Sequence, residues 1–462
     1  MAGIPADDKR SRWLQYSALL DIVRDESWMH RLASLVDDDT PTDIAMGFVN
    51  LAYAHALMAA ANHEDLRAWL AVAQTDRVIA MLADRLKGVV PHPIRAGQQP
   101  LKVALYTPQI VSDRHAATSM GLSLMAMLSD LGHDARFYSA MEMSIPFQDF
   151  FFGASEIQRD PGLEADSLRL RHGKGMLHLG NRQRSLAYRL SAIGQAIDRF
   201  GPDLVLFIGY HSPLGSRLAA CYPMLAMATH AMPPALPVDA WLSAQMECET
   251  ADGAVPFPYR FWPSGSGTAF ARASLSIPDT APVMVTAGVR LRQEMPPAWC
   301  RRMLALLDDH STAHWLVVGA KNDHAKPDFP AHPRVHFIPY SNQLAELQAM
   351  ADIYVNPPRL GGGASVAMAM ERGLAVAALP DGDGGDKLGR LALPSEEAFF
   401  TTLAEWLRDP DARRRFGETL RQQFASRLDL SSAAAAQALE QALILSLRRG
   451  GDRLACAGGR HE

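Results

Sequence analysis

The chain has 462 residues, 48% of them hydrophobic and 21% charged, with a formal net charge of −5. That length exceeds the ~250–300 residues at which a single core stops growing, so two or three globular domains are expected. The negative balance argues against a nucleic-acid partner held by phosphate neutralisation, and Cys221, Cys248, Cys300 and Cys456 form no C-x-x-C pair that would suggest zinc or a disulfide framework.

The N-terminus MAGIPADDKRSRW is charged and lacks the apolar core of a signal peptide. No run of 18 apolar residues follows anywhere, so no integral membrane segment is expected, and the thiols read as those of a reduced, cytoplasmic protein. Residues 11–88 carry Ala, Leu and Met at helical spacing, with Asn62-His63 as a turn and Gly88 as a stop. His55 and His63 lie there without a nucleophile or ligand pattern around them, which reads as packing. The proline-rich stretch VVPHPIRAGQQP, residues 89–100, marks a domain boundary.

From residue 101 the texture becomes α/β. LKVALYT, ARFYS, DLVLFI and AWLSA read as strands, separated by helical segments such as ATSMGLSLMAMLSDLG and SLAYRLSAIGQAIDRF. Short apolar strands alternating with helices predict a parallel sheet covered on both faces. A second series begins near Ala281: PVMVTAG, HWLVVGA, VHFIPY, DIYVNP and LAVAAL as strands, with helices between them. Residues 395–428 and 431–448 are helical, and RRGGDRLACAGGRHE reads as a frayed tail. The expected domains are 1–95, helical; 100–270, a first Rossmann-like half; 271–450, a second; and 451–462, the tail.

In open parallel sheets, ligands bind beyond the carboxyl ends of the strands. In the second half that edge carries Arg290 and Arg292, then Asn356 and the glycines Gly361, Gly362 and Gly363, then the DGDGGDK loop with Asp386 and Lys387. Three glycines let backbone approach a ligand, and a helix starting at Ala364 and Ser365 would offer N–H groups to a diphosphate. There is no P-loop lysine and no G-x-G-x-x-G after the first strand. DGDGGDK lacks the ligand series of a calcium loop, so no metal is expected. In the first half the same edge carries Arg114 and His115, His211 in GYHSP, and His230 in THAMPP. A histidine titrating near neutrality can serve there as a base.

With these residues in view, the chain resembles the GT-B glycosyltransferases, and within them the bacterial cytoplasmic N-glycosyltransferases of adhesins and their O-GlcNAc transferase relatives. The likeness is carried by PYSNQLAELQAMADIYVNPPRLGGGASVAMAMERGLAV, by DLVLFIGYHSPLGSRLAACYPMLAMATHAMPP, by AVPFPYRFWPSG and by SDRHAATSM. It implies two Rossmann-like domains facing a cleft behind an α-helical domain. It also implies a UDP-sugar as substrate rather than a cofactor, inverting transfer without metal, and a protein acceptor. By position, Ala364 and Ser365 match diphosphate contacts, Arg292 falls near the family's diphosphate lysine, and His230 falls on the family histidine. Met368 stands where the family has a ribose-binding Asp; Glu371, one turn on, is the nearest substitute. Two other readings stay open: a glycan or lipid acceptor, and a degenerate scaffold or partner subunit.

Overall fold

A computed structural model gives the fold and describes all residues except 1–7, 61, 87–99, 112–114, 145–149, 153–166, 171–172, 229–231, 245–252, 264–269, 321–329, 342 and 459–462. Arg114 and His230 therefore lie outside the described residues.

The N-terminal segment folds as α1 (Lys9–Val23), α2 (Glu26–Ser34), α3 (Thr42–Ala59), α4 (His63–Val72) and α5 (Thr75–Asp84). Local capping explains the breaks. Asp8 and Asp25 accept N–H bonds at the starts of α1 and α2, and Asn62 does so for α4, where the sequence places a turn. The α4/α5 break at Gln74, in left-handed backbone (φ 51°), has no glycine or proline to announce it.

The first sheet contains β1 (Lys102–Tyr106), β2 (Asp134–Ser139), β3 (Ser167–Leu170), β4 (Gly173–Leu179), β5 (Leu204–Ile208), β6 (Met224–Met227), β7 (Ala240–Ser243) and β8 (Ala254–Pro256). Its order is β3-β4-β2-β1-β5-β6-β7-β8, parallel except for the β3/β4 hairpin. Helices α6 (Ala116–Asp130), α7 (Leu186–Phe200) and α8 (Pro213–Ala219) cover it. One face shares a single core with the helical segment: Trp13, Leu20 and Phe48 belong to the same buried cluster as Tyr106, Phe207 and Leu214. The helices are thus packed onto the first half and share its interior.

The second sheet, β11-β10-β9-β12-β13, is wholly parallel. It comprises β9 (Val283–Ala287), β10 (His314–Ala320), β11 (Val335–Pro339), β12 (Ile353–Val355) and β13 (Ala375–Ala377), with α9 (Leu291–Glu294), α10 (Pro297–Asp309), α11 (Leu344–Ala349), α12 (Gly363–Glu371), α13 (Asp383–Leu388), α14 (Glu396–Arg408) and α15 (Pro410–Gln423). In both sheets the chain runs outward from the central strand and then returns to its other side. The switch points are β1/β5 and β9/β12, and these are where a crevice for ligand opens.

Two chain crossings join the halves side by side. Arg260 N and Phe261 N donate to Leu428 O at 3.2 and 3.3 Å, and Leu430 N donates to Phe261 O at 3.0 Å. After the second crossing the chain does not stay with the second half. Helix α16 (Ala433–Gly458) packs back onto the first sheet, with Ala435, Leu439 and Leu443 in the same core as Val103 and Leu206. This corrects the expected boundary at 450 and the frayed tail. Residues 451–458 are helical, and Arg453 grips Asp239 through Nε at 2.8 Å and Nη2 at 2.9 Å. Gly450, inside this helix, serves close approach: a Cβ would stand 2.7 Å from Pro223.

Candidate active site

The loop after β12 is built around Arg359. This side chain is only 8% exposed. Its guanidinium pairs with Glu294 Oε2 at 2.9 Å, donates to Ala287 O at the end of β9 at 2.8 Å, and reaches Asn356 Oδ1 at 3.0 Å. It therefore ties the β12 loop to the neighbouring strand end at the switch point.

The three glycines divide by cause. Gly362 has φ 98°, and a Cβ there would fall 2.6 Å from Arg359 Nη2 and run into Asn356 Oδ1. Gly363 lets the next loop approach, since its Cβ would be 3.0 Å from the Asp383 Cβ and carbonyl O. Gly361 meets only Arg290 Nη2, at 3.6 Å. Packing requires the second and third glycines; the first faces open space beside a cation. Helix α12 then starts with no side-chain cap. Ala364 is exposed and Ser365 half-buried, so the first-turn N–H groups and the positive end of the helix dipole are presented at the crevice.

The other residues expected on the donor side separate. Arg290 lies beside Gly361 but is paired with Glu294 at 2.9 Å. Arg292 is exposed in α9. Asn356 is buried and structural, its Oδ1 holding Arg359. Glu371 does not join them. It lies at the last position of α12, eight residues from Gly363 or ~12 Å along the axis at 1.5 Å per residue, with its carboxylate 3.3 Å from Arg372. Helix geometry thus separates it from the crevice, against the expectation that it replaces the ribose acid. Lys387 is 5% exposed, with Nζ 5.9 Å from the centre of the Phe261 ring. Burial lowers its pKa, partly offset by Asp386 and Asp383. It is part of the floor where the halves join.

Arg260 lies in the same floor. It is 4% exposed, donates to Leu242 O at 2.6 Å, and is pulled down to about 9 by burial against the favourable charge of Asp383. Asp383 Oδ1 also meets His63 Nε2 of α4 at 3.5 Å. Ligand-type atoms of His63, Asp383 and Asp386 lie within 4.8 Å of one another. Spacing alone would suit a cation, but Arg260 and Lys387 already face these acids as counter-charges.

On the first half, the β1 and β5 loops carry His115 and His211. His115 precedes α6, half-buried, with Nδ1 3.2 Å from Thr118 Oγ1 and a pKa lowered by burial. His211 is 6% exposed and held edge-on between Tyr53 of α3 (5.4 Å) and Tyr210 (5.6 Å). Burial drives it down to about 4, so it is neutral at pH 7. Behind it, Ser212 caps α8 through Gly215 N–H at 2.8 Å and donates to Glu142 Oε1 at 2.7 Å. Sequence reading misses Glu142, although it follows β2 at the same carboxyl edge that singles out the histidines.

One apolar cluster ties the two edges together. Leu360, next to Gly361, shares this buried cluster with Met232, and Tyr210, next to His211, packs against the cluster. Ala56, Leu66 and Leu70 of α3 and α4 close the cluster. The helical segment therefore touches both halves at the mouth of the crevice, and no periodicity in the sequence announces this.

A scan against protein-family models finds no match, and neither does a search of curated proteins. Among solved structures, the chain is similar to a point mutant of the O-GlcNAc transferase of Thermobaculum terrenum: TM-score 0.55, 14% identity, 95% of this chain and 87% of that chain covered. The spinosyn forosaminyltransferase SpnP (15% identity, 74% and 99% covered) and the glycosyltransferase SnogD of Streptomyces nogalater (14%, 74% and 100%) align at TM-scores of 0.45 and 0.42. Two Rossmann-type sheets, paired crossings and a C-terminal helix returned to the first half make this a GT-B fold.

Proposed function

We propose that the protein is a glycosyltransferase that moves a sugar from a nucleoside-diphosphate donor, a UDP-sugar, to a protein acceptor, with inversion and without a metal ion. The observation that supports this reading is the apolar cluster that both Leu360 and Tyr210 join, because it brings the loop before the uncapped start of α12 and the loop that carries His211 to one cluster. The solved O-GlcNAc transferase supports it by fold.

In this reading the donor diphosphate sits over Gly361, Ala364 and Ser365, with Arg290 and Arg292 at its rim. The acceptor heteroatom attacks the anomeric carbon from the opposite face. The carbon–oxygen bond to the diphosphate breaks, and the leaving charge goes to the helix N-terminus and the arginines. The acceptor proton passes to His211 Nε2, with His115 orienting the acceptor. Burial suits His211 to this: it enters the reaction neutral. Asn356, Asp386 and Lys387 shape the loops and are not contacts. A cytoplasmic site of action is part of the proposal; among the described residues, no helix is long and apolar enough to cross a membrane.

The test is calorimetric titration with UDP-, GDP- and TDP-sugars, followed by mass spectrometry of proteins co-expressed with the chain. Binding of a UDP-sugar and a hexose mass added to a co-expressed protein are expected. A sugar found only on glycan or lipid would move the acceptor class. Failure to bind any nucleotide would leave a scaffold.

A further inference from the structure

Behind His211, three polar atoms shut off from solvent have no hydrogen-bond partner among the described residues: His211 Nδ1, Glu142 Oε2 and Asn50 Oδ1. They come from α3, the loop after β2 and the loop after β5, which are joined by contacts of Glu142 with Asn50 and with Ser212, the residue after His211. Glu142 is fully buried, and its Oε1 accepts from Ser212 Oγ and from the Tyr106 hydroxyl. Asn50 of α3 donates Nδ2 to the Glu142 carbonyl at 3.3 Å. Tyr53, one turn further along α3, lies edge-on to His211, the residue before Ser212. The backbone here is under constraint as well: Met141 has φ 56°, and buried Arg189 clamps it by donating to Ala140 O and Met141 O at 2.9 and 2.5 Å.

The chemistry of the three atoms is complementary to one small molecule. An amide oxygen and a carboxylate oxygen only accept, while an imidazole nitrogen can donate. Water offers two hydrogens and lone pairs, and buried waters typically make about three such bonds. We propose that Glu142 is a positioning residue for His211, acting through one buried water. The water donates to Glu142 Oε2 and Asn50 Oδ1 and accepts Nδ1–H from His211. This fixes the tautomer with the lone pair on Nε2, the form a general base requires.

The proposal rests on the reading of His211 as the base and adds what prepares it. It also makes the base sensitive to pH. Glu142 is pushed up to about 7 by burial, partly offset by Ser212, Tyr106, the charge of Arg189 from α7 and the Leu214 N–H. From α3 it faces Asn50, which does not titrate. Once Glu142 is protonated, Oε2 donates to the water's second lone pair and frees one water hydrogen, which can then turn to His211 Nδ1 as an acceptor and favour the Nε2–H tautomer.

The test uses protein labelled with ¹⁵N-histidine, with His211 assigned by the resonance lost in His211→Gln. Long-range ¹H–¹⁵N spectra at pH 8 read its tautomer without any ligand. The native protein is expected to show Nδ1–H. Glu142→Gln, whose amide donates toward the water, is expected to shift His211 to Nε2–H. It should also lower kcat for UDP release from a bound UDP-sugar about tenfold or more, with KM within about twofold. Tyr106→Phe, which leaves Oε2 intact, should keep Nδ1–H. An Nε2–H tautomer in the native protein overturns the proposal even if Glu142→Gln fails to fold; so does a tautomer that ignores Glu142→Gln. If the tautomer follows Glu142 while His211→Gln keeps full kcat, the water site stands and the base assignment falls.

Discussion

Gly361 and Gly362 are neighbours of identical chemistry, and the structure predicts opposite outcomes for their replacement by alanine. At Gly362 the backbone has φ 98°, a conformation that costs a side-chain-bearing residue roughly 1–3 kcal/mol. The added methyl would stand 2.6 Å from Arg359 Nη2. That guanidinium cannot move aside without loosening its bond to Glu294 at 2.9 Å or to Ala287 O at 2.8 Å. Hydrogen bonds to charged groups are worth about 1.5–3 kcal/mol each. Strain plus one lost bond gives about 3–5 kcal/mol. At about 2–4 °C per kcal/mol for a half of this size, the second half should melt roughly 10 °C lower. Gly361→Ala meets only Arg290 Nη2 at 3.6 Å and has no left-handed backbone, so stability should change by less than about 1 kcal/mol. Its effect belongs instead to nucleotide affinity, because the methyl enters the crevice. Scanning calorimetry of both variants, with UDP titrated into each, separates the two. Equal melting temperatures, or a Gly361→Ala protein that melts earlier than Gly362→Ala, would refute the division of labour between the glycines.

Other expectations follow from the same geometry. Leu360→Ala empties a 4%-exposed site and should cost about 2–4 kcal/mol in chemical denaturation while weakening nucleotide binding, since it detaches the glycine loop from α3 and α4; an unchanged nucleotide Kd would argue against that coupling. Arg453→Ala should cost about 2 kcal/mol by urea melt, because it leaves the buried Asp239 carboxylate without its bidentate partner; a frayed tail would show no effect. For pH, Glu142 is raised from 4.5 to about 7, so its contribution is complete below pH 4.5 and is lost as pH rises through 7. His211, lowered from 6.5 to about 4, works the other way, contributing above pH 6.5 and losing it as pH falls through 4. Glu142→Gln should therefore remove up to about 3 kcal/mol of the stability lost between pH 5 and 8, and parallel stability curves for the two proteins would contradict the burial of that carboxyl. Chelation by EDTA should leave donor binding unchanged, since Arg260 and Lys387 already balance Asp383 and Asp386; restoration by added Mn²⁺ would reverse that assignment.

Sequence carries the two α/β halves well because parallel strands buried on both faces read as continuous apolar runs, as in LVLFI of β5, every residue of which is buried. The carboxyl-edge rule then points to loops that the structure places after strands, those of His115, His211 and the glycine stretch. What it cannot show is which glycine serves packing and which faces a ligand, because that depends on Arg359 folding back three residues from Asn356. Glu371 looks close to the site in sequence and is a helix length away in space. Leu360 and Glu142 look like ordinary loop residues, and their roles come from contacts with α3, some 300 and 90 residues distant. The strands β3 and β8 are not read from sequence: SLRL alternates polar and apolar residues over only four positions, and the three residues of β8 end in Pro256.

The return of α16 to the first sheet has a practical consequence for rebuilding the enzyme. The first half is discontinuous in sequence, so no single cut separates it from the second. A terminal swap at residue 270 would pair a foreign C-terminal helix with β6 and β7 and strand Asp239 against the wrong partner. The second half is better exchanged as an internal cassette, with both junctions placed where the two crossings lie side by side, at Phe261 and Leu428. Each recipient then keeps its own closing helix, and the two seams can be matched to each other through the same three backbone hydrogen bonds.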